Sequence, residues 1–139
     1  MSDYPTAKDP DLTGTYPASA GSGGYVWDDV LEYRVWCHPH DGAPDLDDGN
    51  DYYYVFETYE EALTYSSENP GTEKPLALVS QAEYIDEPEP GNYIYIKEPR
   101  IAEWSVEFLT RPKRNAHTIP DFFSPNAPAN RLDILRGLA

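Results

Sequence analysis

The sequence predicts a small α+β fold: a mixed, mainly antiparallel sheet with one packed helix, a short C-terminal helix and a disordered N-terminal arm. Three observations carry this. An aromatic and β-branched run at Tyr52–Phe56 leads straight into a capped amphipathic helix, a second run at 30–38 alternates polar and apolar residues, and residues 1–26 are rich in Pro, Gly, Ser, Thr and Asp. The expected organisation is an arm over 1–26 followed by one α+β domain over 27–139.

Taken in order, the arm includes the linker-like GSGG at Gly21–Gly24, with no strand before it and no Gly-Lys-Ser/Thr after it, so it does not read as a phosphate loop. In the 30–38 strand, Leu31, Tyr33, Val35 and Cys37 point one way and Glu32, Arg34, Trp36 and His38 the other, which predicts one apolar face. Cys37 falls on that face and reads as a small buried hydrophobe. The segment from Pro39 to Asn50 is a loop dense in turn formers and carboxylates.

Thr58 stands three residues before Glu61, the spacing of a capping box in which the Thr hydroxyl takes the Glu61 N–H and the Glu carboxylate returns to the N–H of Thr58. Tyr59, Ala62, Leu63 and Ser66 share one face of the helix that follows, and Asn69, Pro70 and Gly71 stop it. Pro75 to Ile85 reads as one strand and Tyr93 to Lys97 as the next, joined as a hairpin through DEPEPGN. With a helix between the second and third strands, a right-handed crossover could make those two strands parallel, with the outer strands pairing antiparallel. Arg100 to Leu109 reads either as a short helix or, the favoured reading, as a strand followed by a turn, and 111–128 as irregular coil anchored by Phe122 and Phe123. A short helix over 129–138 has Asn130 as its candidate cap.

Composition bounds the function. The chain has 139 residues, 12 of them Tyr and 14 Pro, and a formal net charge of −15. Residues 1–100 hold 21 acids against 5 bases, whereas 101–139 hold 4 acids against 5 bases. Such a field repels phosphate backbones and anionic lipid, so neither nucleic acid nor membrane is an expected partner; it suits plain solubility first, and also a basic protein partner or a metal cation. With a lone cysteine and no apolar run of spanning length, a cytoplasmic setting is expected. One helix covers one sheet face, so an aromatic face carrying Trp36 and tyrosines, if the C-terminal segment leaves it open, would drive pairing with a second copy as a homodimer.

Two clusters could carry chemistry. Cys37, His38, His40, Asp41, Asp45, Asp47 and Asp48 gather ligand types for a divalent metal, with His38, His40, Asp45 and Asp47 as the candidate ligands. The spacing fits no calcium loop, because placing Gly49 sixth puts Pro44 first, and it fits no paired zinc pattern; the alternative is a solvated acidic loop. Arg111, Lys113 and Arg114, with His117 nearby, form the one basic cluster, able either to receive an anion or to dock on the chain's own acids or a second copy. No G-x-S-x-G, Walker loop, G-x-G-x-x-G or H-E-x-x-H occurs, and no cofactor is expected.

EYRVWCHP at Glu32–Pro39, DYYYVF at Asp51–Phe56, EYIDEPEPG at Glu83–Gly91 and NRLDILRGLA at Asn130–Ala139 give the span from Leu31 to Ala139 a further likeness. It resembles a small group of uncharacterised bacterial proteins, some labelled acetyltransferases of the GNAT superfamily. That label implies acetyl-CoA held by backbone N–H groups of an Arg/Gln-x-x-Gly-x-Gly/Ala turn opening a helix. The chain has no such turn, its one Gly-x-Gly being Gly21–Gly23, so no catalytic residue carries over. The expected function is a non-enzymatic, acidic protein-interaction module; the alternatives are a small acetyl-CoA-dependent acetyltransferase and a divalent-metal-binding protein.

Overall fold

Strand β1 (Asp29–Cys37) runs through the middle of its sheet and is buried along most of its length. The computed structural model that shows this describes residues 4–138; residues 1–3 of the expected arm and Ala139 lie outside them. The chain falls into two units, one holding the described residues up to Ala18 with Val30–Leu78, the other Ser19–Asp29 with the residues from Val79 onward. The division cuts both the expected arm and the expected single domain.

In the first unit β1 pairs antiparallel with β2 (Tyr52–Phe56), from Tyr33 opposite Phe56 to Cys37 opposite Tyr52. Residues Leu76–Leu78 of β3 (Leu76–Gln81) belong to the same unit, and β1 lies between β2 and β3. β1 thus stands between the two strands that the crossover reading makes parallel. The bridge between Cys37 and Thr72 is antiparallel like the β1–β2 ladder, so the chain crosses over β1 on its way from β2 to β3.

The one apolar face expected for β1 is also corrected. Tyr33, Val35 and Cys37 are buried on one side, but Glu32 and Arg34 are fully buried on the other. Alternation in sequence reports polarity, and here the polar face is covered by residues 14–18. Arg34 Nε donates to Glu32 Oε2 at 2.8 Å, its Nη1 and Nη2 donate to the Ala18 and Pro17 carbonyls at 3.1 and 2.6 Å, and Gly14 N–H donates to Glu32 Oε1 at 2.9 Å. The stretch expected as a free arm thus supplies the groups that let an ion pair lie dry. Two further backbone bonds hold it, Ala7 N–H to the Glu57 carbonyl and Lys8 N–H to the Val30 carbonyl, both at 2.8 Å.

Helix α1 (Tyr59–Glu68) starts at its predicted cap, with Thr58 Oγ1 accepting the Glu61 N–H at 3.2 Å. The return bond differs from the expected box, because the Thr58 hydroxyl itself donates to Glu61 Oε1 at 2.9 Å. The packed stripe is also rotated from the expected one. Ala62 is fully buried and Tyr65 meets Tyr54 and Phe56 at 5.2 and 5.6 Å between ring centres, while Leu63 is left 41 % exposed. Aromatic pairing with β2 outweighs the aliphatic side chain. After α1, Asn69 is extended and the left-handed turn falls at Gly71, where an added Cβ would lie 2.1 Å from the Ala43 nitrogen. Only glycine fits there.

The second unit holds Val79–Gln81 of β3 with β6 (Arg100–Ser105) next to that strand, and a separate hairpin of β4 (Tyr84–Glu89) and β5 (Asn92–Ile96). The expected single strand over Pro75–Ile85 is two strands. It breaks at Ala82–Glu83, where the Ala82 N–H turns to Asp28 Oδ2 at 2.7 Å instead of a neighbouring strand. The predicted hairpin forms in the register Tyr84 to Ile96, and its irregularity between Asp86 and Glu89 accommodates Pro88. Its inward rings are Tyr93 and Tyr95, which meet Phe122 and Phe123 at 5.1 and 5.7 Å, while Ile94 is 43 % exposed.

A 3-10 turn over Val106–Thr110 follows β6, as the strand-then-turn reading expects. Within the coil expected at 111–128 a short helix α2 (Thr118–Phe122) forms, because Ile119 and Phe122 join Val26, Ile85 and Leu135 in one apolar cluster. Helix α3 (Arg131–Leu135) closes the chain; Asn130 precedes it without the expected side-chain cap, and Arg131 Nη1 instead donates to the Phe122 carbonyl at 2.8 Å. The result is a small α+β fold with two antiparallel sheets. Among the described residues no helix is long and apolar enough to cross a membrane.

Candidate functional site

The candidate ligands His38, His40, Asp45 and Asp47 are placed separately along the acidic loop. His38 leaves β1 with its ring between two carboxylates, Nδ1 lying 2.9 Å from Asp51 Oδ1 and Nε2 3.5 Å from Glu73 Oε2. The hydrogen bond with Asp51 raises the His38 pKa above its ordinary value, against a smaller opposing effect of burial. His40 is exposed in a 3-10 turn over Pro39–Asp41. Asp45 Oδ1 is taken by the Gly49 N–H at 2.7 Å, and Asp47 is exposed with its carbonyl accepting from Asn50 N–H at 2.9 Å. Loop backbone and solvent take up these groups. Among the described residues no three His, Cys, Asp or Glu side chains are gathered as a metal requires.

Cys37 behaves as the sequence suggests: it is buried, burial pushes its thiol pKa up, and its Sγ lies 3.7 Å from the Val35 carbonyl.

The basic cluster of the second unit divides. Arg114 grips Asp28 with Nε at 3.0 and 3.2 Å and with Nη2 at 2.9 Å, and reaches Glu83 with Nη1 at 3.2 Å. Its pKa rises further, chiefly through the bond to Asp28. Lys113 Nζ lies 3.5 Å from Asp29 and 5.3 Å over the Trp27 ring. These two dock on the chain's own acids, one of the two arrangements the sequence leaves open. His117 is exposed and its backbone N–H is bonded to Asn115 Oδ1 at 2.8 Å.

Arg111 is different. Its guanidinium lies 4.5 Å over Phe108 and 5.3 Å over Trp104, and Nη1 donates to the Tyr25 carbonyl at 3.3 Å. Burial lowers its pKa, and the like charge of Arg136 lowers it further. It lines a cleft of about 440 Å3 together with Gly23, Gly24, Tyr25, Arg100 and Trp104, a volume in the range of small-molecule sites. Arg100 is fixed within this cleft, its Nε donating to Gln81 Oε1 at 2.7 Å and its guanidinium lying 3.8 Å over the Tyr84 ring. Trp104 Nε1 donates to the Gly23 carbonyl at 3.0 Å.

Of these groups only Arg111 is a sequence candidate. Tyr25, Arg100, Trp104 and Arg136 escape sequence reasoning because the linker-like GSGG, the end of β6 and the C-terminal helix meet only in space. The available signal was an arginine beside an aromatic or glycine-rich stretch, too common to act on. Comparison with family models, with curated proteins and with solved structures gave no match to this chain.

Proposed function

We propose that this chain is a non-catalytic binding protein that works through contact with another protein, either a basic partner or a second copy of itself. The supporting observation is the state of the two side chains best suited to be base and nucleophile. Both His38 nitrogens face carboxylates, and the Cys37 thiol is buried with a raised pKa. The thiol is thereby a poor nucleophile, and the His38 ring serves its own ion pairs. A formal charge of −15 supplies long-range attraction for a basic surface. Exposed Tyr54 and Leu63 supply apolar contact area on the first unit. The proposed setting is the cytoplasm.

Sedimentation velocity over a wide concentration range, paired with calorimetric titration of a lysine-rich peptide at low and high salt, tests this. Self-association or salt-sensitive peptide binding is expected. A monomer at every concentration with no heat from the peptide contradicts it. Heat from acetyl-CoA would replace it with the acetyl-transfer reading.

A further inference from the structure

The strongest unexplained feature is a pair of arginines without carboxylates. Arg111 and Arg136 both line a recess of about 450 Å3 that shares Phe108 and Arg111 with the cleft already described. Arg136 lies 5.5 Å over the Tyr25 ring as Arg111 lies over Phe108, so rings hold both guanidiniums from one side. Among the described residues neither forms an ion pair with a carboxylate, in contrast to Arg34 and Arg114. Arg136 Nε is moreover buried without any hydrogen-bond partner. A buried guanidinium donor left unmade is costly, and two like charges held near each other add to that cost.

Nearby carboxylates do not remove it. The pKa of Glu87 is lowered chiefly by the Tyr25 hydroxyl and in smaller part by the charge of Arg136, but its oxygens are hydrogen-bonded by that hydroxyl and by the Gly91 N–H at 2.8 Å, and Asp86 and Glu107 are exposed. An oxyanion that accepts from the exposed edges of both guanidiniums would relieve the repulsion between them. The cleft beside it, walled by Trp104 and Tyr25, has room for the rest of such a molecule.

We propose that Arg111 and Arg136 form a binding site for a small organic oxyanion, a carboxylate or phosphate group carried on an aromatic body that lies in the adjoining cleft beside Tyr25. This site lies in the second unit and does not rest on the protein-contact reading above. Arg111 and Arg136 hold the charged group; the cleft lined by Tyr25 receives the ring, and the buried Trp104 behind it reports the binding.

Benzoate, phenyl phosphate, inorganic phosphate and sodium chloride at matched ionic strength are the probes, read by the indole Nε1–H signal of Trp104 in nitrogen–proton correlation spectra. Saturable low-millimolar shifts are expected from benzoate or phenyl phosphate, weaker ones from inorganic phosphate and none from chloride; the tighter of the first two names the oxyanion. R136M should weaken binding at least about tenfold, and R136K should also weaken it by losing the forked donors while keeping the charge and fold. The idea is overturned if no probe gives a saturable shift beyond that of chloride. It is equally overturned if R136K binds the tighter probe as well as the native chain does.

Discussion

Arg34 is fully buried and Arg136 partly so, yet they occupy opposite chemical situations. Arg34 has a carboxylate at 2.8 Å and two backbone carbonyls on its remaining nitrogens, so its charge is balanced within the first unit. Arg136 in the second unit has an aromatic face beneath it and a buried Nε with no partner. The difference teaches that burial of a cation is not by itself a sign of function. What separates a structural arginine from a candidate binding arginine is whether its donors are used up. Cation–ring contact does not use them, because it engages the face of the guanidinium and leaves the edge N–H groups free.

The contrast can be broken most forcefully at Glu32. Glu32→Ala strands Arg34 as an unpaired buried charge and should cost about 3–5 kcal/mol of unfolding free energy, whereas the double change Glu32→Leu with Arg34→Met should recover most of it. Denaturant midpoints at constant slope decide this. A single mutant losing under about 1 kcal/mol would mean that the pair is wet and that the structural half of the comparison fails.

A smaller effect is expected at Gly71, whose φ of +74° and closeness to Ala43 exclude a side chain. Gly71→Ala should destabilise by about 1–3 kcal/mol, measured in the same way, and would show that the turn after α1 holds the loop behind His38. Thr58→Ala removes the cap of α1 and should cost about 1 kcal/mol, with helix content by circular dichroism falling before the sheet signal changes.

The least effect is the pH dependence of His38. Its folded pKa is raised, so its pairing with Asp51 and Glu73 stabilises the fold fully below the unfolded value of about 6.5 and is lost as pH rises through the folded value. Both carboxylates are about half exposed, so the amount is about 0.5 kcal/mol. His38→Gln should flatten the stability profile between mildly acid and mildly alkaline pH. A native profile that already matches the variant there would contradict the pairing.

Local signals carried much of the fold. The Thr58 and Glu61 spacing, the aromatic run of β2 and the stop at Asn69–Gly71 place α1 correctly because caps and breakers act within a few residues. The failures share one cause, a partner far along the chain. Burial of Glu32 depends on Gly14, Pro17 and Ala18, and the break between β3 and β4 depends on Asp28. Asn130 misled as a cap because Arg131 instead reaches Phe122. For the sites, the acidic loop had the right residue types but spends them on its own turn and on His38, while the cleft and the recess beside it draw Tyr25, Arg100, Arg111 and Arg136 from four separate stretches. Residue type is visible in sequence; convergence is not.

The most direct test of the comparison reads the two guanidiniums side by side, by following the arginine Nε–H signals in nitrogen–proton spectra at low temperature while phenyl phosphate is added. The account predicts a downfield Arg34 Nε–H that stays in place and an Arg136 Nε–H that moves with saturation as the oxyanion binds its guanidinium. An Arg34 signal that moves with the ligand, or an Arg136 signal that stays still throughout, would contradict it.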